Sequence, residues 1–138
     1  MHHSLRIGAI TACRGASSGL GRPRRPRVHL PRAYQPLRSL RLSEGDEDNV
    51  VWEIEAHSEA GVDVASVKIG EVPKGFERRS REVRLTLKRD RDYLVQVDVG
   101  AHDYARFTLE YMAPGRMYWG RDSSGSPSEW RADRAKVC

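Results

Sequence analysis

The first residues whose types and spacing could do chemistry lie close to the amino terminus. Residues 10–13 read Ile-Thr-Ala-Cys, a short run of small and apolar side chains that ends in a thiol. Lipid attachment to an exported protein needs this chemistry, because cleavage occurs beside small side chains and the thiol accepts the acyl group. Residues 15–21 are small and are typical of a flexible tether. We therefore predict Cys13 as a lipidation site.

The apolar stretch before Cys13 is short for an export signal. Only residues 7–12 follow Arg6, whereas a secretory signal core has about 7–15 apolar residues. One interpretation is a start codon placed too late, with the rest of the signal upstream of Met1. The alternative is an accidental match in a disordered cytosolic tail.

A run of arginine and proline follows this segment. Its cations are Arg22, Arg24, Arg25 and Arg27. Because guanidinium groups displace counterions from phosphates, the run could contact anionic lipid headgroups or nucleic acid. It lacks interleaved aromatic residues, so nucleic acid is the less favoured partner and a solvated spacer is the alternative.

The net positive charge of the chain comes from this amino-terminal part. Residues 1–38 contain eight arginines and no acidic residue. Residues 39–138 carry the other 16 basic residues and all 19 acidic ones, a balance of −3. A general affinity of the whole protein for nucleic acid is therefore not indicated.

Four aromatic residues in the last third form a candidate binding patch. They are Tyr111, Tyr118, Trp119 and Trp130. Amphipathic rings near one end of a domain suit a contact surface for a partner. The alternative is that they fill the core between the last strand and a helix.

No pattern of catalytic or metal-binding residues is present. The five histidines (His2, His3, His29, His57 and His102) show no zinc-site spacing, and the acidic run 44–48 does not match a calcium loop. Neither a GxSxG motif nor a glycine-rich phosphate loop accompanies the serines. We expect no enzymatic activity, no metal and no cofactor.

Two alternating segments, 82–87 and 93–99, indicate a β-domain. Alternation places Val95, Val97 and Val99 on one sheet face and polar side chains on the other. Further strands are predicted at residues 40–42, 50–56, 64–69, 104–111 and 117–119. Short strands separated by turn residues favour a small antiparallel sandwich.

The domain organisation follows from these elements. Residues 39–138 are predicted as the sandwich, with a short helix near 127–137 that starts at a Ser-Pro-Ser-Glu cap. Residues 1–38 are predicted as a largely unstructured tether, the last part of which His29, Leu30, Tyr34 and Leu37 could anchor to the domain. No apolar run reaches the ~20 residues of a membrane-spanning helix.

Tyr93 stands at the start of a predicted strand, just after a charged turn. This resembles the tyrosine corner of immunoglobulin-like and fibronectin-like sandwiches, in which the hydroxyl bonds back to the preceding turn. An ordinary half-buried strand tyrosine is the alternative. Cys13 and Cys138 could form a disulfide or remain unrelated thiols, and the sequence leaves both open.

Four features together resemble uncharacterised actinobacterial lipoproteins or secreted proteins. They are the lipobox-like 10–13, the stretch Pro-Arg-Ala-Tyr-Gln-Pro-Leu-Arg-Ser at 31–39, Gly-Glu-Val-Pro-Lys-Gly-Phe at 70–76, and the late aromatic helix. The resemblance implies a small β-rich domain outside the cytoplasmic membrane, and it implies no known activity.

The functional expectation is a non-enzymatic module that binds or supports a protein or envelope partner, held by lipid on Cys13. The alternative is an intracellular partner-binding protein whose basic arm contacts nucleic acid or acidic partners. Strand order and oligomeric state do not follow from the pattern, and edge strands leave a dimer open.

Overall fold

Ten short strands and one 3-10 turn make up the described part of the chain. The computed structural model describes residues 9–11, 25–30, 36–80, 85–113, 116–119 and 123–125. The strands are β1 (Ala9–Thr11), β2 (Arg27–His29), β3 (Ser39–Glu44), β4 (Val50–Ala56), β5 (Ser66–Lys68), β6 (Phe76–Arg78), β7 (Tyr93–Asp98), β8 (His102–Phe107), β9 (Met117–Trp119) and β10 (Ser123–Gly125). The 3-10 turn, Leu109–Tyr111, lies between β8 and β9.

The strands form two five-stranded sheets in which every pairing is antiparallel. Sheet I has the order β10-β9-β1-β2-β5, and sheet II has the order β6-β4-β3-β7-β8. Within the described residues no helix is long and apolar enough to cross a membrane.

The core lies between the two sheets. In sheet II, alternate side chains of β3, β4 and β7 point into the core. In sheet I, Val28 of β2 and Val67 of β5 are paired with each other and also point into the core. One continuous cluster joins residues of both sheets, including Leu40, Ile54 and Val97. Alternation in β4 and β7 therefore predicts the buried face correctly, because one face of each strand meets the other sheet.

The strand order is that of an immunoglobulin-like sandwich. β1-β2-β5 matches strands A, B and E of that fold, while β4-β3-β7-β8 matches strands C′, C, F and G. β6 extends sheet II beyond β4, and β9 and β10 extend sheet I beyond β1. The predicted small antiparallel sandwich is confirmed.

Tyr93 forms the expected corner at the start of β7. The backbone N–H of Lys88 donates to its hydroxyl at 2.7 Å, and its ring stacks on Phe107 with centroids 5.4 Å apart. The Tyr93 side chain is buried, and the loss of solvation of the charged form raises the pKa of its phenol. The hydroxyl thus ties the 88–92 turn to the core.

Parts of the segment predicted as a tether, ahead of residue 39, pair with strands of the sandwich. β1 and β2 belong to sheet I, and Leu37 exchanges two backbone hydrogen bonds of 2.9 Å with Val62. His29, Leu30 and Leu37 are buried as anchors, as expected, whereas Tyr34 lies outside the described residues. Apolar side chains at alternate positions allow this arginine- and proline-rich segment to pair.

Two predicted strands differ from the structure. Residues 85–88 are not in a strand, and Leu85 is buried without belonging to either sheet, while 81–84 lie outside the described residues. The strand predicted at 104–111 begins earlier, at His102, and ends at Phe107. The chain then turns, because Tyr111 and Met112 donate backbone hydrogen bonds three residues back. The helix predicted near 127–137 lies outside the described residues.

Candidate functional site

The structure brings two of the four predicted patch residues together. Tyr111 ends the 3-10 turn and Tyr118 is the middle residue of β9. Trp119 follows in β9, where its neighbour in the sheet is Ser123, and Trp130 lies outside the described residues. Of the predicted patch, Tyr111 and Tyr118 are therefore the two residues that lie at a common site.

Tyr118 is directed toward sheet II by the register of sheet I. Tyr118 is paired with Ile10 of β1, and Ile10 is paired with Val28 of β2. Val28 is in turn paired with Val67, and both valines belong to the core. Residues in line across paired strands share a sheet face, so Tyr118 faces the same way. Its hydroxyl accepts a 2.7 Å hydrogen bond from the Ala113 backbone N–H, which fixes the ring against the turn.

A cleft of about 440 Å³ opens between the sheets beside these rings. We name it the Tyr111 cleft, and its lining residues are Asp92, Arg106, Phe107, Thr108, Tyr111, Met112 and Tyr118. Its volume lies in the range of small-ligand pockets, about 300–1,000 Å³. Tyr111 is 77% exposed at its edge, the highest value among the large hydrophobic residues that the structure describes.

The polar groups of the cleft follow from the β7–β8 register. Tyr93 lies opposite Phe107, which places Asp92 next to Thr108 one step outward. The Thr108 hydroxyl donates to an Asp92 carboxylate oxygen at 2.5 Å. Arg106 is exposed and has no ion-pair partner among the described residues. The cleft is therefore lined by three aromatic rings, with Arg106 and the hydrogen-bonded Asp92–Thr108 pair beside them.

The predicted anion-binding arginines divide into two groups. Arg25 donates to the Leu85 carbonyl at 3.1 Å, and Arg27 donates to the Ser66 hydroxyl at 3.1 Å. Both are half-buried and join separate parts of the chain. Arg22 and Arg24 lie outside the described residues, as do Cys13 and Cys138.

The position of Arg25 also accounts for the glycine at position 70. Gly70 has φ +93°, and a Cβ there would collide with the Arg25 guanidinium. The guanidinium therefore packs directly on the Gly70 backbone, beside the turn after β5. This contact fixes the entry of the chain into β2.

A second, acidic cleft of about 520 Å³ lies on sheet II. Two of its four lining carboxylates, Glu53 and Glu55, form ion pairs with Arg41 and Arg79, at 3.1 and 2.5 Å. Across the described residues no group of three or more His, Cys, Asp or Glu side chains is arranged to hold a metal. This cleft is a solvent-exposed face of sheet II on which two of the carboxylates are paired with arginines.

The acidic turn between β3 and β4 is stabilised by hydrogen bonds between its own side chains and its backbone. Asp46 accepts from the Asp48 N–H at 2.9 Å, and the Asn49 side chain donates to the Glu44 carbonyl at 3.1 Å. These bonds are those of a hairpin turn.

The sequence interpretation missed the cleft residues outside the aromatic group. Asp92 and Thr108 are sixteen positions apart and meet only through the β7–β8 register. Arg106 lies two residues from Tyr104 on the same exposed face of β8, and it was not predicted as a site residue. No signal in the sequence joins these residues, because their contact depends on the register of β7 and β8.

No protein-family model, curated protein or solved structure was found that matches this chain.

Proposed function

We propose that the protein is a non-enzymatic binding module that engages its partner through the Tyr111 cleft. The observation that carries the proposal is the placement of Tyr111, largely exposed, at the edge of a cleft backed by Tyr118 and Phe107. Aromatic side chains give large contact area at low conformational cost, and a single cation orients a ligand. The cleft suits contact with an aromatic or apolar group, and the exposed Arg106 beside it suits a negative charge next to that group.

The cleft is held rigid by groups that a ligand does not need to displace. The Tyr118 hydroxyl bonds the backbone at Ala113, Thr108 bonds Asp92, and Phe107 stacks on Tyr93. A preformed site loses little entropy on binding, which suits a recognition surface.

A fragment titration tests the cleft. N-acetylphenylalaninamide is added to the isotopically labelled full-length chain, and the backbone amide shifts are followed by NMR. A ligand of about 15 heavy atoms at roughly 0.3 kcal/mol per atom gives a Kd of about 1 mM. Saturable shifts centred on residues 107–112 and on Tyr118 support the proposal. Shifts confined to other parts of the chain reject it.

A location at the cell envelope, with lipid on Cys13, is the second part of the proposal. It is supported by the lipobox-like residues 10–13 and by the acid-free segment that follows. Cleavage before Cys13 would remove β1, which lies between β9 and β2 in sheet I. A lipidated molecule would therefore lack β1, and β9 would keep only its pairing with β10 among the described strands.

An uncleaved chain that keeps β1 fits the alternative of an intracellular partner-binding protein. The mass of the native protein separates the two. An acylated Cys13 at a new amino terminus supports the envelope proposal, whereas an intact Met1 with unmodified cysteines rejects it.

A further inference from the structure

β8 is a regular edge strand. All six of its residues are paired in register with β7, and no second strand pairs with it within the described residues. Every second residue of an edge strand directs its N–H and C=O groups away from the sheet. Such an edge is a template for another extended segment.

The other sheet edges are short or charged. β5, β6 and β10 each contain three residues, half the length of β8. β5 ends in Lys68, and β6 carries the exposed Glu77 and Arg78. Short length and edge charge are the usual protections against strand addition. β8 also carries charged residues, Asp103 and Arg106, but it contains neither lysine nor proline and is the longest edge strand of the described sheets.

The carboxyl end of β8 lines the Tyr111 cleft. Arg106 and Phe107 are its last two residues, and both border the cleft. β9 packs against β8 across the sandwich, and β10 is the next strand outward in sheet I. A strand added to β8 would therefore lie on the β10 side of the sandwich and pass the mouth of the cleft.

The outer face of β8 selects the charge of the added strand. Arg106 and Tyr104 project from this face two residues apart, and both are exposed. Oppositely charged residues directly across an antiparallel pair stabilise it, and like charges destabilise it. A carboxylate opposite Arg106 is the complement.

From these observations we infer that β8 binds an extended acidic peptide by strand addition. The peptide places a carboxylate opposite Arg106 and an adjacent aromatic side chain in the Tyr111 cleft. This inference rests on the proposed function, because it names the class of ligand for the same cleft. Backbone hydrogen bonds supply general affinity, and the two side chains supply specificity.

Three synthetic peptides, each acetylated and amidated, test the inference on the full chain. The first, Thr-Phe-Glu-Val-Thr-Val, places Phe opposite Phe107 and Glu opposite Arg106 in antiparallel register. The second replaces Glu with Lys, and the third replaces Phe with Ala. Binding is measured by calorimetry and by amide hydrogen exchange over residues 102–107.

We expect the first peptide to bind at least tenfold more tightly than the second and to slow amide exchange in β8. Arg106→Glu should reverse the preference between the acidic and basic peptides, which a purely structural role of Arg106 would not do. Tyr111→Ala should weaken the first peptide and leave the third unchanged. Tyr104→Thr keeps the strand and serves as a control for folding.

The remaining outcomes separate the two proposals. Shifts that depend on Tyr111 without slowed exchange in β8 reject strand addition and leave the cleft proposal standing. Slowed exchange that is insensitive to Tyr111→Ala supports strand addition and rejects the cleft. Concentration-dependent self-association without peptide would make a second copy the occupant and overturn the inference. An absence of binding by any peptide at millimolar concentration also overturns it.

Discussion

At the residue scale, individual side chains hold the turns against the sandwich. Tyr93 accepts the Lys88 N–H, Arg25 reaches the Leu85 carbonyl, and Tyr118 accepts the Ala113 N–H. Each bond connects a loop to a strand or to a buried residue. Much of the order of the loops therefore depends on a few polar groups, and single substitutions test it.

Replacing Tyr93 with Phe should destabilise the protein by about 1–2 kcal/mol, because the Lys88 N–H loses its partner while the ring stays packed. Chemical unfolding measures the change. The control is Tyr104→Phe, since the Tyr104 side chain is 42% exposed. Equal effects of the two substitutions would contradict the corner.

His29 makes the stability depend on pH. Burial, together with the nearby charge of Arg27, lowers the pKa of its imidazole to about 4. Between pH 6.5 and 4 the unfolded chain binds a proton that the folded chain does not, so stability falls as the pH is lowered through this window. The full contribution is present above pH 6.5 and amounts to about 3 kcal/mol.

Urea unfolding at pH 7 and at pH 4.5 measures this dependence. The variant His29→Gln should show a smaller difference between the two pH values than the wild type. The same difference in both proteins would contradict the assignment to His29. NMR titration of the His29 imidazole in the folded wild type provides a direct second measurement.

At the element scale, tight turns allow the amino-terminal segment to join the sandwich. Gly61 has φ +83°, and a Cβ there would lie 2.7 Å from the Leu37 carbonyl oxygen. The turn after β4 thus approaches the backbone of the segment between β2 and β3. A glycine is needed for the conformation and also for the close contact.

Gly61→Ala should therefore destabilise the protein more than Gly45→Ala. Both residues have nearly the same φ, +83° and +80°, but a Cβ at Gly45 meets nothing within 4 Å. The left-handed conformation costs about 1–2 kcal/mol at either position, and the collision adds to it only at Gly61. Thermal or urea unfolding compares the two variants. Indistinguishable stabilities would mean that the Leu37 segment can move away without cost.

At the scale of the whole molecule, the amino-terminal residues belong to the fold. β1 pairs with β9 on one side and β2 on the other, so it joins the last strands of the chain to the rest of sheet I. Core residues of β2 and β5 cover sheet II. The sandwich is therefore closed by segments far apart in sequence.

Deletion of residues 1–12 should lower the free energy of unfolding by about 2 kcal/mol or more, because two ladders of backbone hydrogen bonds are lost. Deletion of residues 1–6 is the control, since it leaves β1 in place. Circular dichroism during thermal unfolding compares the two. An unchanged transition in the longer deletion would contradict the role of β1.

The central part of this fold is predictable from the sequence and its edges are not. β4 and β7 alternate over six or seven residues with one buried face, which is a sufficient pattern. β2 has three residues with a single apolar side chain, Val28. Because arginines and prolines surround Val28 in the sequence, the segment was predicted as a tether. Residues 85–87 alternate but remain outside the sheets, because alternation does not specify a partner.

The same distinction applies to the site. Tyr111 and Tyr118 could be named from residue type, since exposed aromatic residues are frequent in binding surfaces. Asp92, Arg106 and Thr108 could not, because their proximity depends on the register of β7 and β8. A cleft between sheets is a property of the tertiary structure.

The most direct test of the central claim compares two tyrosine variants in the N-acetylphenylalaninamide titration. If the Tyr111 cleft is the binding site, Tyr111→Ala abolishes the saturable amide shifts, and Tyr104→Ala, on the outer face of β8, retains them. Equal binding by Tyr111→Ala and the wild type would contradict the claim.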